Sequence, residues 1–275
     1  SKRTLRLVLP VYIFVSLYIL LNPILSGWGL VEEYTGKVIG GTYMLRLNPS
    51  IGYVWIIRVF LIVMLATPLL TGIDKRIRND WMCFALVALM VAIQQGLAAW
   101  LRPMKLGWFV EDWVLYVFGY SAVFLFGLRM RRASVRSASV ILAIMAVGMV
   151  AYAFHMYGEH GTVMRLQATK YPPRLYFLLW GMLISGLLWV TSKWWTLLLD
   201  RKLFTFIGQN TIWIYLWHIP FVNIVVKGPF DPWHPAFKYI FVYAAALCIY
   251  AVQYKLVKKI QERCPDNRFT KYFIG

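Results

Sequence analysis

The chain has 275 residues, of which 60% are hydrophobic, and its mean hydropathy is +0.62. A soluble domain of this size needs far more polar surface to cover its core, so a water-soluble fold is excluded. The net charge of +18 lies mostly in short connections between apolar blocks, which argues against nucleic acid as a partner and for anionic lipid.

In chain order, apolar runs of the length needed to cross hydrocarbon, about 20 residues, fall at 7–27, 51–73, 81–101, 112–129, 139–156, 175–192, 204–226 and 236–254. They predict an all-α, polytopic membrane helix bundle of about eight transmembrane helices. No Gly/Ser linker or low-complexity tract divides 1–275, so one membrane-embedded domain is expected. The first apolar run is too long for a signal peptide and lacks a small-residue cleavage site. Ser1-Lys2-Arg3 runs straight into that span without an initiator Met, which reads as the interior of a longer protein.

Alternating the connections from a cytoplasmic N-terminus puts nineteen cations inside and nine outside, with Arg58 left within a span. The excess of Lys and Arg on the cytoplasmic side predicts that both termini are cytoplasmic and that 28–50 and 157–174 are the long outer loops. Cys83, Cys248 and Cys264 share no short spacing, so neither a disulfide framework nor a zinc site is expected.

Arg58 is the strong charge deep inside an apolar run, Val54-Trp55-Ile56-Ile57-Arg58-Val59-Phe60. A charge there costs about 2.5–3.5 kcal/mol, so it needs a partner, a wet cavity, or a route to the interface along Trp55. No acid lies in the middle of a span; Glu111 and Asp112, which open the fourth, read as complements to a helix dipole. His218 shares a helix face with Tyr215 and Thr211, at i, i+4 and i+7, a polar stripe wasted against lipid. An imidazole takes a hydroxyl proton near neutral pH, or it holds a neighbouring helix. Asn210 is a further polar group near the inner end of that span and off the stripe, catalytic, a helix cap or an interhelical bond. His155, Glu159 and His160 are too loosely spaced to predict a metal, and His234 reads as interfacial. Arg3 and Arg6 form Arg-x-x-Arg at the inner lip, either a topological anchor or a bidentate phosphate clamp.

Several segments resemble acyltransferase family three, an integral membrane O-acyltransferase family. Lys2-Arg3-Thr4-Leu5-Arg6-Leu7-Val8-Leu9-Pro10 is similar to the basic stretch opening its third helix. Trp55 through Ala66-Thr67-Pro68-Leu69-Leu70 resembles its segment ending in Pro-Leu-Leu, and Lys170-Tyr171-Pro172-Pro173 resembles a subgroup. Phe206-Ile207-Gly208-Gln209-Asn210-Thr211 through Tyr215-Leu216-Trp217-His218-Ile219-Pro220 is similar to its late helix and is the most specific match.

The resemblance implies transfer of an acyl group, acetyl above all, from a cytoplasmic acyl-CoA to a hydroxyl of a cell-surface or cell-wall carbohydrate. It implies a bacterial cytoplasmic membrane, phosphates of the donor on Arg3 and Arg6, and reacting groups near His218, Tyr215, Arg58 and Asn210, with no metal. Such proteins usually have ten membrane helices and a catalytic Arg or Lys followed after ten residues by His on the first. That pair is not in this sequence, so the first two helices are expected to be missing from it. A transporter or flippase of lipid-linked glycans, or an inactive fragment of the same fold, stays open beside the enzyme.

Overall fold

The structure is a computed structural model and describes residues 2–199, 201–227, 232–265 and 269–274. It is 81% helical, with no strand among the described residues. In chain order the helices are α1 (Lys2–Gly27), α2 (Gly36–Tyr43), α3 (Trp55–Arg76), α4 (Asp80–Leu101), α5 (Leu115–Met130), α6 (Val135–His160), α7 (Leu175–Val190), α8 (Ser192–Leu199), α9 (Lys202–Gln209), α10 (Thr211–Lys227) and α11 (Pro235–Arg263).

Six helical stretches among the described residues, containing α1, α3, α4, α5, α6 and α11, are long and apolar enough to cross a membrane. The apolar helices α7 and α10 are shorter. The chain is an all-α integral membrane protein. The expected span at 204–226 is not one continuous helix: it breaks at Asn210, between α9 and α10. There the Asn210 side chain donates to the Phe206 carbonyl at 2.7 Å, offering the backbone a local alternative to the next ladder bond.

Helix ends follow short-range chemistry. Asn79 accepts from the Trp81 N–H with Asp80 in the first turn of α4, and Ser134 accepts from Ser137 N–H at the start of α6. His234 caps α11, whose first residue is Pro235. Gly161 ends α6 in the left-handed conformation, φ 67°.

The chain divides into two compact units, residues 1–57 with 199–275 and residues 58–198. In the first unit α10 packs on α11 and α1, and α2 lies on α1. Phe14 meets Trp217 edge-on at 5.4 Å, and the Trp217 indole donates to Gln253 at 2.6 Å. The buried Trp213 donates to the Tyr272 carbonyl at 2.9 Å, which ties the chain's end to α10.

In the second unit α4, α5, α6 and α7 surround an apolar core that includes Phe84, Leu125, Leu142 and Leu178. One end of this bundle is closed by charge. Buried Arg129 donates to the carbonyls of Asp74, at 2.9 Å, and Ile77, at 2.6 Å. It also pairs with the carboxylates of Asp74 at 3.0 Å and Asp80 at 3.4 Å, and Arg132 adds a contact to Asp74 at 2.8 Å. A guanidinium taken out of water needs this number of acceptors.

Candidate functional site

Arg58 lies in the second unit and His218 in the first. His218 sits on α10 between two tyrosine rings. Its centroid lies 4.6 Å from the Tyr215 ring, one turn earlier, and 5.6 Å edge-on from the Tyr53 ring. The Tyr215 hydroxyl donates to the Tyr53 carbonyl at 2.6 Å. This bond fixes Tyr53, whose φ of 55° is uncommon for a bulky residue and needs its surroundings to hold it.

The His218 Nδ1–H donates to the carbonyl of Tyr215. That bond selects the Nδ1-protonated tautomer and leaves the Nε2 lone pair able to accept a proton. No hydrogen bond to Nε2 occurs among the described residues. Thr211 does not join this arrangement. Its hydroxyl turns back to the carbonyls of Ile207 and Gly208, at 3.1 and 3.0 Å, so the expected polar stripe reduces to Tyr215 and His218.

The loop carrying Tyr53 is braced by α2. Thr42 donates to Val38 O and accepts from Ile51 N–H at 3.0 Å, while Gly41 packs its backbone against Pro49. A Cβ at Gly41 would meet the Pro49 carbonyl oxygen at 1.7 Å, so only glycine fits this approach. Further along α10, Asn223 donates to the hydroxyls of Tyr18 and Tyr34, and Tyr34 donates to Tyr18 at 3.0 Å. Asn22 completes the network by holding Glu32 O and Tyr34 N–H, both at 2.9 Å. Burial, then the neighbouring Tyr18, pushes the Tyr34 hydroxyl above its ordinary pKa, so it remains a neutral donor.

Asn210 is buried and committed on both sides: it donates to Phe206 O and accepts from the Tyr250 hydroxyl of α11. It ties the end of α9 to α11. Arg6 is exposed on the first turns of α1, and the side chain of Arg3 lies outside the described residues.

Arg58 is fully buried. It does not reach the interface by snorkelling. Its guanidinium pairs with Asp112 at 3.1 Å and lies 4.9 Å from the centroid of the Tyr116 ring. Asp112 belongs to a π turn, Val110–Val114, that opens into α5. The wide turn is supported by Gln94, which donates to the Leu115 carbonyl and accepts from Gly119 N–H at 3.1 Å. Reading Asp112 as a dipole complement missed its partner. The available signal was an acid at the opening of one span in a chain whose other span carries a deep arginine.

His155 and Glu159 line a cavity of about 130 Å³ with Tyr152, Thr169 and Arg174. The side chain of His160 lies outside the described residues.

The fold is thus an all-α membrane protein with an oriented imidazole in one unit and a buried, paired arginine in the other. The sequence profile of acyltransferase family 3, described as an acyltransferase domain, matches residues 1–253, and the chain belongs to that family. It is an acyltransferase. No curated protein and no solved structure matches it.

Proposed function

We propose that the protein transfers an acyl group, acetyl above all, from a cytoplasmic acyl-CoA to a hydroxyl of a cell-surface carbohydrate. The observation that carries this reading is the His218 tautomer: Nδ1 is spent on the Tyr215 carbonyl, so Nε2 is the free base. Within this chain, His218 Nε2 takes the acceptor hydroxyl's proton as the oxygen attacks the thioester carbonyl. The carbon–sulfur bond breaks, and the proton passes on to the leaving thiolate. The Tyr53 and Tyr215 rings offer flat apolar faces on which a sugar ring stacks.

In the second unit, Asp112 fixes the orientation of the buried Arg58, whose role in this reading is to hold the π turn ahead of α5 against α3. Arg3 and Arg6 are assigned to the donor's phosphates, on the same side as both termini of the chain. Asn210 acts by holding α9 to α11.

The test is a mass-spectrometric comparison of surface glycans from cells with and without the intact gene. Loss of one acyl substituent with an unchanged amount of glycan supports acyl transfer. An unchanged acyl pattern with less surface glycan supports export instead.

A further inference from the structure

At the end of the second unit away from the Arg129–Asp74 cluster, a cavity of about 450 Å³ opens beside the last turns of α4. Ala98 and Ala99 give it room on one wall, and Pro172 closes another. Gln95 reaches it too, but its amide is occupied: it donates to Pro173 O at 3.3 Å and accepts from Leu175 N–H at 3.1 Å. That clamp fixes the 172–175 segment against α4. Two arginines, Arg102 and Arg174, complete the lining, and both are exposed.

Neither guanidinium has an ion-pair partner among the described residues. Glu159 lines the adjoining small cavity with Arg174 but makes no ion pair with it. A further cation of the same segment, Lys170, lies over the Tyr171 ring at 5.1 Å. By contrast, Arg129 and Arg132 at the opposite end are matched by Asp74 and Asp80. This end also belongs to the cation-poor set of connections, where topology calls for few arginines. Two unmatched planar forks around one walled cavity suit a tetrahedral oxyanion.

We propose that Arg102 and Arg174 form a phosphate-binding subsite, occupied by a lipid headgroup or a small phosphate ester. The inference is independent of the acyl-transfer reading, because it concerns binding at a cavity that no step of that reaction uses.

Native mass spectrometry of the detergent-solubilised protein with phosphatidylglycerol tests it. Arg102→Ala with Arg174→Ala is expected to lower lipid retention by about tenfold or more, the loss expected for two charge-assisted contacts. Arg131→Ala with Arg136→Ala removes the same charge from exposed positions elsewhere and is expected to retain lipid as the unaltered protein does. Competition by glycerol 1-phosphate assigns the site to soluble phosphate esters, and lipid retention despite that competitor assigns it to headgroups; both uphold the subsite. Equal retention by the first double variant and the unaltered protein, or equal loss in both double variants, overturns it. The folded state of each variant is checked by its unfolding temperature without added lipid.

Discussion

The guanidinium of Arg58 lies 3.1 Å from the carboxylate of Asp112, an ion pair between α3 and the π turn ahead of α5. Arg58 is fully buried and Asp112 nearly so, and the ring of Tyr116 covers the cation. Burial without the acid would leave an uncompensated charge.

Breaking this pair from one side is therefore costly. Asp112→Asn is expected to destabilise the protein by about 3–5 kcal/mol. Arg58→Met combined with Asp112→Leu removes both charges and is expected to cost much less, so a double-mutant cycle in detergent unfolding reads a clear coupling. Additive losses would show that the two groups do not support each other.

Two neighbouring glycines of α2, Gly40 and Gly41, give a matched test of how Tyr53 is held. Gly41→Ala drives a methyl into the Pro49 carbonyl, and about 1–3 kcal/mol of destabilisation is expected, with loss of transfer activity as the Tyr53 loop shifts. Gly40→Ala meets nothing within 4 Å and is expected to be neutral or slightly stabilising. Equal stability of the two variants would remove the brace.

Much of the fold was legible because lipid imposes long apolar runs, and the eight blocks correspond to six long and two shorter apolar helices. The break at Asn210 was not, because a short polar group among apolar neighbours reads equally as a buried bond within a continuous span. Arg58 and His218 stand out in the sequence because polar side chains there interrupt apolar runs. Tyr53 and Asp112 were hidden, since their partners lie 162 and 54 positions away and neither breaks a hydrophobic pattern. Thr211 looked like part of a polar face because periodicity shows direction but not where a hydroxyl bonds.

The orientation assigned from the cations is open to direct labelling. With Cys83, Cys248 and Cys264 replaced by Ala, single cysteines at Lys37 and Val163 are expected to react with an impermeant reagent in intact cells, and one at Ala133 is not. Labelling at Ala133 alone would reverse the topology.

Arg3→Ala and Arg6→Ala are each expected to weaken acyl-CoA binding by about tenfold if the guanidinium forks hold its phosphates. Lys at either position is expected to restore little of that affinity, since a point charge lacks the planar fork. Unchanged donor affinity in the double Ala variant, measured by equilibrium binding, would leave these residues as topological anchors.

The central claim is that His218 moves the proton in acyl transfer, and one comparison tests it most directly. Cells carrying His218→Gln, at membrane levels matched to the unaltered protein, are assayed for the acyl content of their surface glycans. Gln is similar in size but cannot take up a proton near neutral pH. The expected result is a fall in transfer rate of about 100-fold or more, with donor binding retained. Wild-type acylation in that variant would contradict the assignment.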